Sequence, residues 1–124
     1  MATARPRIAV VDDEASVLKA LKRLLNARSY QAETYESARQ FLASLPHGLP
    51  QCLIVDLQMP EMTGLELMHH LAREGIDIPT IVITAHNEGG ARERCELAGA
   101  VAFLAKPLQD TVLFAAIDKA RGRD

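Results

Sequence analysis

Three carboxylates, a hydroxyl and an ammonium stand at four places in this chain where an apolar run stops. Asp12 and Asp13 follow Ile8-Ala9-Val10-Val11, Asp56 follows Cys52-Leu53-Ile54-Val55, Thr84 closes the run from Thr80, and Lys106-Pro107 follows Val101-Ala102-Phe103-Leu104-Ala105. If each run is a buried strand of one parallel sheet, the strand ends share a rim and these side chains converge there. Two unit charges ~4 Å apart repel by about 4 kcal/mol at an effective dielectric near ~20, so clustered carboxylates either take up protons or hold a cation. Oxygen ligands with no His or Cys beside them favour a hard divalent ion, Mg²⁺ first and Mn²⁺ as its substitute, with waters completing the octahedron. Lys106 adds a compact positive charge to the same rim, which an arriving anion would explain. A phosphoryl group suits both the cation and the ammonium, and Thr84 supplies a hydroxyl donor. Asp56 is then best placed as the nucleophile that accepts it as an acyl phosphate.

Each residue also has a plainer explanation. Asp12 and Asp13 could cap the helix that carries Val17 and Leu21. Asp56 could end an ordinary strand-to-loop turn, Thr84 could cap whatever follows it, and Lys106 could be a surface lysine before a proline. Any one of these explanations is credible singly. All of them at successive strand ends are not, because convergent titratable groups mark sites.

The elements that must position these groups follow from the pattern. The four runs are short, rich in branched residues and apolar without alternation, as expected of parallel strands covered on both faces. Tyr30 to Tyr35 is a more polar strand, suited to an edge. Val17, Leu18, Leu21, Leu24 and Leu25 recur on one helix face, as do Leu65, Met68, His69 and Ala72, and later Leu113, Ala116, Ile117 and Ala120. Phe41, Leu42 and Leu45 mark a short helix with Ser37 as cap and Pro46 as stop. Strand and helix alternating five times argue an α/β sheet with helices on both faces. Phe114 falls off the Leu113-Ile117 stripe, so it is either exposed as a partner contact or tucked under a neighbouring helix. Asn87-Glu88-Gly89-Gly90 precedes a helix with few apolar residues, which is expected to be the most mobile of the five.

Composition narrows the function classes. At 124 residues and 48% apolar content the chain suits one hydrophobic core. With 16 acidic against 14 basic residues there is no electrostatic case for nucleic acid or an anionic membrane. Arg5 to Arg7 reads as a solvated tail. No apolar run approaches the ~20 residues of a bilayer span, and no secretory leader is evident, so a cytoplasmic protein is expected. Cys52 and Cys95 show no metal or redox spacing and read as small core residues. His69 and His70 lack a ligand companion at helical spacing and read as surface or half-buried residues.

Val10-Val11-Asp12-Asp13-Glu14, Ile54 to Gly64, Ile81 to Ala85 and Phe103 to Pro107 together resemble the motif set of bacterial response-regulator receiver domains, the CheY-like family. The wording is most similar to receivers of FixJ/NarL-type regulators. The resemblance runs from Ile8 to about Ala120 and implies a flavodoxin-like (βα)5 fold with strand order 2-1-3-4-5, the site lying at the carboxyl ends of the strands. It implies that Asp56 is the phosphoacceptor for a sensor histidine kinase or a His phosphotransfer protein. By the same resemblance Asp13, the Asp56 carboxylate and the Gln58 backbone carbonyl hold Mg²⁺, Asp12 acts through a bound water, Thr84 and Lys106 bind phosphoryl oxygens, and Lys106-Pro107 is cis. It further implies that Thr84 moves inward on phosphorylation and Phe103 turns from outside to inside. The altered face, formed by the fourth helix, fifth strand and fifth helix, would bind a protein target or a second copy.

Three neighbours are expected to tune the chemistry. Ala85 is small enough to leave a path to Asp56 for a phosphohistidine, and Gln58 and His86 stand where they can modulate loss of the phosphoryl group. The expected organisation is a single receiver domain over 1–124, ordered over about 7–121, without an output domain. Whether it stands alone or belongs to a longer regulator is open. Catalysis would be self-directed only. Other functions fit less well: a Mg²⁺-dependent aspartyl phosphohydrolase, whose family would call for a second Asp where Gln58 stands, and a receiver-fold scaffold, which would usually have lost Asp56 or Lys106. A flavin or dinucleotide carrier needs a glycine-rich loop where Asp12-Asp13-Glu14-Ala15 is acidic.

Overall fold

Strand and helix alternate five times through residues 5–86 and 89–122, the residues described by a computed structural model of the chain. In order these are β1 (Arg7–Val11), α1 (Ala15–Ala27), β2 (Gln31–Tyr35), α2 (Ala38–Ser44), β3 (Cys52–Asp56), α3 (Gly64–Arg73), β4 (Thr80–Thr84), α4 (Ala91–Leu97), β5 (Ala102–Ala105) and α5 (Asp110–Arg121). All neighbouring strands pair in parallel, in the order β2-β1-β3-β4-β5. This is the flavodoxin-like order that the resemblance implies. The polar strand β2 is an edge, as its composition foretells.

Alternate residues of each strand face opposite sides of the sheet and so feed two cores. Ile8, Val10, Ile54, Ile81 and Ile83 pack with Leu18, Leu21 and Leu25 of α1 and with Leu113 and Ile117 of α5. Ala9, Val11, Leu53, Val55, Val82 and Phe103 pack with Phe41 of α2, Leu67, Met68 and Leu71 of α3, and Ala91 and Cys95 of α4. Each large apolar side chain so buried stabilises the fold by roughly 1.5–3 kcal/mol. The central strands are therefore apolar on both faces, which explains their lack of alternation. Cys52 and Cys95 are both wholly buried.

Register brings the strand ends level. Val11 lies opposite Val55, Asp56 opposite Ile83, and Thr84 opposite Ala105. The ladder continues one step beyond, with Leu57 N–H donating to Ile83 O at 2.8 Å and Lys106 N–H to Thr84 O at 2.8 Å. Asp12, Asp56, Thr84 and Lys106 thus leave the sheet at a common rim.

Two sequence expectations need correction, on α3 and at Arg5 to Arg7, and the alternatives left open for Phe114 resolve to burial. The buried face of α3 is Gly64, Leu67, Met68 and Leu71; Leu65 is half-buried and His69 and Ala72 are exposed. The helix start sets that rotation: Thr63 Oγ1 accepts from Glu66 N–H while Glu66 Oε1 accepts from Thr63 N–H, a capping box. Phe114 is buried, stacked on Tyr30 with ring centroids 6.1 Å apart and under the Arg28 guanidinium at 4.2 Å. Arg5 and Arg7 are not a solvated tail. Arg5 donates to the carbonyls of Asn26 (2.9 Å) and Tyr30 (2.7 Å), and Arg7 opens β1 and grips both Glu33 oxygens at 3.1 and 2.8 Å. The helix α2, capped by Ser37 as expected, ends at Ser44 ahead of Pro46, and a 3₁₀ turn over Leu45–His47 follows it.

The fourth helix is short, and among its residues only Ala91 and Cys95 are buried. Its N-cap is Gly90 at φ +80°, which offers no capping side chain. Asn87 and Glu88, placed by the sequence reading just before it, lie outside the described residues.

Gly64 ties α3 to the rim. A Cβ there would meet the Asp56 backbone oxygen at 2.5 Å and the Leu57 Cα at 3.1 Å, neither of which is a yielding side-chain tip. Gly64→Ala is therefore expected to cost about 1–3 kcal/mol by overpacking. Urea unfolding of the variant beside wild type checks this; a loss below about 0.5 kcal/mol would show that α3 can lift away freely.

Candidate functional site

The Asp12 carboxylate is fully buried and is held from two directions. Its Oδ1 accepts from Glu14 N–H at 2.9 Å and its Oδ2 from Lys106 Nζ at 2.9 Å. Lys106 Nζ also lies 3.4 Å from Glu14 Oε1 and 3.6 Å from Asp56 Oδ1. Carboxylate oxygens of Asp12, Asp13 and Asp56 lie within 4.8 Å of one another, with Asp12 and Asp56 buried and Asp13 exposed. The structure brings the sequence-predicted acids and the lysine together at one rim.

That crowding perturbs the charges. Burial, then the Asp12 charge and more weakly that of Asp13, push the Asp56 carboxyl up to about 6, against the pull of Lys106 and of a backbone hydrogen bond from Gln58. Burial alone would lower Lys106, but its hydrogen bond to Asp12 and the charges of Asp12 and Asp56 outweigh that and raise it. One ammonium does not neutralise three carboxylates. An all-oxygen donor set with one member open to solvent fits a hard divalent cation, which Asp12, Asp13 and Asp56 could hold.

The plainer explanations fail on geometry. The N-cap of α1 is Glu14, without a side-chain cap bond, so neither Asp12 nor Asp13 caps that helix, and the N-cap of α4 is Gly90, not Thr84. Lys106 is no surface lysine, with its side chain only 13% exposed. The Lys106-Pro107 bond is cis, as the resemblance implies.

The matching family model, the response regulator receiver domain, spans residues 8–118. The chain belongs to that family. It is 40% identical over 111 residues to the transcriptional regulatory protein FixJ of Rhizobium meliloti, a match covering 90% of this chain and 54% of FixJ. It is 34% identical over 123 residues to nodulation protein W of Bradyrhizobium diazoefficiens, covering 99% of this chain and 54% of that protein. The receiver thus spans about half the length of the curated relatives it matches. The crystal structure of FixJ-N superposes with a TM-score of 0.87 at 38% identity, covering 96% of this chain and 95% of that one. A receiver protein from Burkholderia phymatum gives 0.83 at 40% identity, covering 95% of this chain and 96% of its own. The chain is a receiver of the response-regulator type, with the CheY-like fold.

Thr84 and Phe103 have definite resting positions, and that of Phe103 differs from expectation. The Thr84 hydroxyl is occupied by the next loop, donating to His86 O at 2.8 Å and accepting from His86 N–H at 3.1 Å. Phe103, expected to start outside, is already buried at 7% exposure in the core beneath α4. Ala85, His86 and Gln58 are all exposed on the loops that follow β4 and β3.

Sequence reasoning missed three features. Glu14 is a partner of Lys106, although it read only as part of an acidic run. Arg92 of α4 donates to the Phe103 carbonyl at 3.1 Å with its guanidinium 5.6 Å from the ring centroid; nothing in the sequence separates it from a solvated arginine. An open groove of about 900 Å³ runs between α1 and the segment after β5, with Val17, Ala20, Leu24 and Leu108 along it and Ala85 and Lys106 in its wall.

The raised Asp56 value has a stability consequence. A carboxyl whose folded-state value lies above its unfolded one penalises the fold once ionised. The penalty is absent below the ordinary value of 3.8 and full above about 6. Without Mg²⁺, Asp56→Asn is expected to stabilise the protein by about 2 kcal/mol at pH 7.5, with the gain shrinking toward zero near pH 4. Thermal melts in chelator at both pH values check this; a pH-independent difference would contradict it.

Proposed function

We propose that this receiver takes a phosphoryl group from a phosphohistidine of a sensor histidine kinase or His phosphotransfer protein onto Asp56. The observation that carries the proposal is the Asp56 carboxylate, buried at the rim among two other carboxylates and 3.6 Å from a lysine ammonium. In the transfer an Asp56 oxygen forms the new bond to phosphorus as the phosphorus–nitrogen bond to the imidazole breaks, the electron pair staying on the imidazole nitrogen. Asp13, Asp56 and the Gln58 backbone carbonyl would hold Mg²⁺, or Mn²⁺ in its place, with Asp12 acting through a water. The ion would supply neutralising charge to the phosphoryl oxygens. Lys106 and Thr84 bind those oxygens, Lys106 from its seat on Asp12 and Thr84 by releasing His86. The receiver acts only on itself, by this transfer and by slow hydrolysis of its own acyl phosphate, so it is not an enzyme in the turnover sense.

Ala85, exposed in the wall of the apolar groove beside Lys106, leaves the approach open to a donor seated along α1. Gln58 and His86, exposed on the flanking loops, tune the lifetime of the phosphoryl group. Signal output passes through the α4-β5-α5 face to a protein target or a second copy, without direct nucleic-acid contact. Release of Thr84 from His86 loosens the loop that leads into thinly packed α4, and Arg92 carries that change to Phe103 in β5. The two-state element is biased by contacts that exist only with the phosphoryl group in place. We take residues 7–121 as one receiver unit working in the cytoplasm. No helix among the described residues is long and apolar enough to cross a membrane. The phosphohydrolase alternative lacks the second Asp, at Gln58, and a scaffold would have no use for both Asp56 and Lys106.

Intact mass after incubation with Mg²⁺ and acetyl phosphate tests the proposal. Wild type is expected to gain one phosphoryl group and Asp56→Ala none. A gain in both would place the acceptor elsewhere, and no gain in wild type with Mg²⁺ bound would favour the scaffold.

A further inference from the structure

We infer that Glu14 is a positioning residue for phosphoryl transfer: it draws the Lys106 ammonium away from Asp56 and so restrains acceptance of the phosphoryl group. The inference rests on the proposed role of Asp56. Glu14 sits at the N-cap of α1 yet makes no side-chain cap bond. Its carboxylate is turned instead to Lys106, at 3.4 Å. It also stands apart from the cation cluster, since the carboxylates that gather within 4.8 Å are Asp12, Asp13 and Asp56. Glu14 is thus a fourth carboxylate whose visible side-chain partner is the lysine and not the group that would hold metal.

The distances define a competition. Lys106 Nζ lies 2.9 Å from Asp12, 3.4 Å from Glu14 and 3.6 Å from Asp56, so the acceptor is the most distant of its three anionic neighbours. The ammonium has three donors on one small head, and every bond it keeps to Glu14 is one it does not offer to oxygens at Asp56. Asp12 is buried and fixed by the Glu14 N–H, so its hold on the lysine is part of the frame. Glu14 is 59% exposed on its side chain and is the partner that can be given up. Glu14 also lines the groove beside Ala85 and Lys106, so its charge faces an incoming donor. Exposure keeps the effect modest, because surface ion pairs are worth little.

The test compares E14Q with wild type in phosphorylation by acetyl phosphate, a dianion, and by phosphoramidate, which carries less charge, each also in a K106A background. With Lys106 present, E14Q is expected to react about two- to fivefold faster, the size of change that an exposed ion pair can cause. The factor should be the same for both donors and absent in K106A. An unchanged or slower rate overturns the inference. So does an acceleration that survives in K106A or grows with donor charge, which would mean repulsion at the mouth alone. A second readout needs neither metal nor phosphoryl group. In a structure of metal-free E14Q, Lys106 Nζ is expected closer to Asp56 Oδ1 than 3.6 Å, and an unmoved lysine overturns the inference. If wild type takes up no phosphoryl group at all, the phosphoacceptor reading fails, while the lysine position still decides whether Glu14 restrains it.

Discussion

Two buried carboxylates on neighbouring strand ends, Asp12 and Asp56, share one lysine that lies 94 residues beyond Asp12 along the chain. Removing such charges from water costs several kcal/mol each, and a single ammonium does not repay it for three acids. The cost shows at Asp56, whose carboxyl is pushed up to about 6 by its burial first and by the Asp12 charge second. A binding site for positive charge is thereby built into the resting protein. Divalent cation and phosphoryl group together would satisfy what Lys106 alone leaves unmet.

The sheet makes this arrangement enforceable. Because the strands are parallel and in register, the ends of β1, β3, β4 and β5 stop at one level, and a slip of one residue would turn every site residue to the other face. Apolar packing on both faces forbids that slip. Gly64 brings α3 hard against the Asp56 backbone, and the Thr63–Glu66 capping box fixes where that helix begins. The rim is closely packed where charge must be held, and the packing thins toward α4, where Ala91 and Cys95 are the buried residues. Thin packing next to a firmly packed charged site is the arrangement the proposed switch would use.

Much of this was legible in the sequence because burial on both faces leaves an unmistakable trace. Thr80–Thr84 was readable to the residue as β4, and the other strands to within one. The carboxylates, Lys106 and the cis bond after it followed from where those runs stop and from the motif resemblance. The side of a helix was harder to read. On α3 the apolar residues Leu65, Leu67, Met68 and Leu71 fit more than one stripe, and the choice between them was made by Gly64 and the capping box. Phe114 was ambiguous until Tyr30 and Arg28 supplied its pocket. Long charged side chains were least legible. Arg5, Arg7, Glu14 and Arg92 all look solvated in sequence, and each finds a partner across the fold that only the tertiary structure brings near. The rotamers of Thr84 and Phe103 belong to the same class, since a conformational state is not written in residue type.

A buried Asp56 carboxyl crowded by a second negative charge is the claim on which the rest depends, and a ¹³C NMR titration of its side-chain carboxyl tests it most directly. In metal-free protein Asp56 should titrate near 6. Saturating Mg²⁺ should move that midpoint well down by stabilising the ionised form. An ordinary carboxylate value without metal, or a midpoint indifferent to Mg²⁺, would contradict the account.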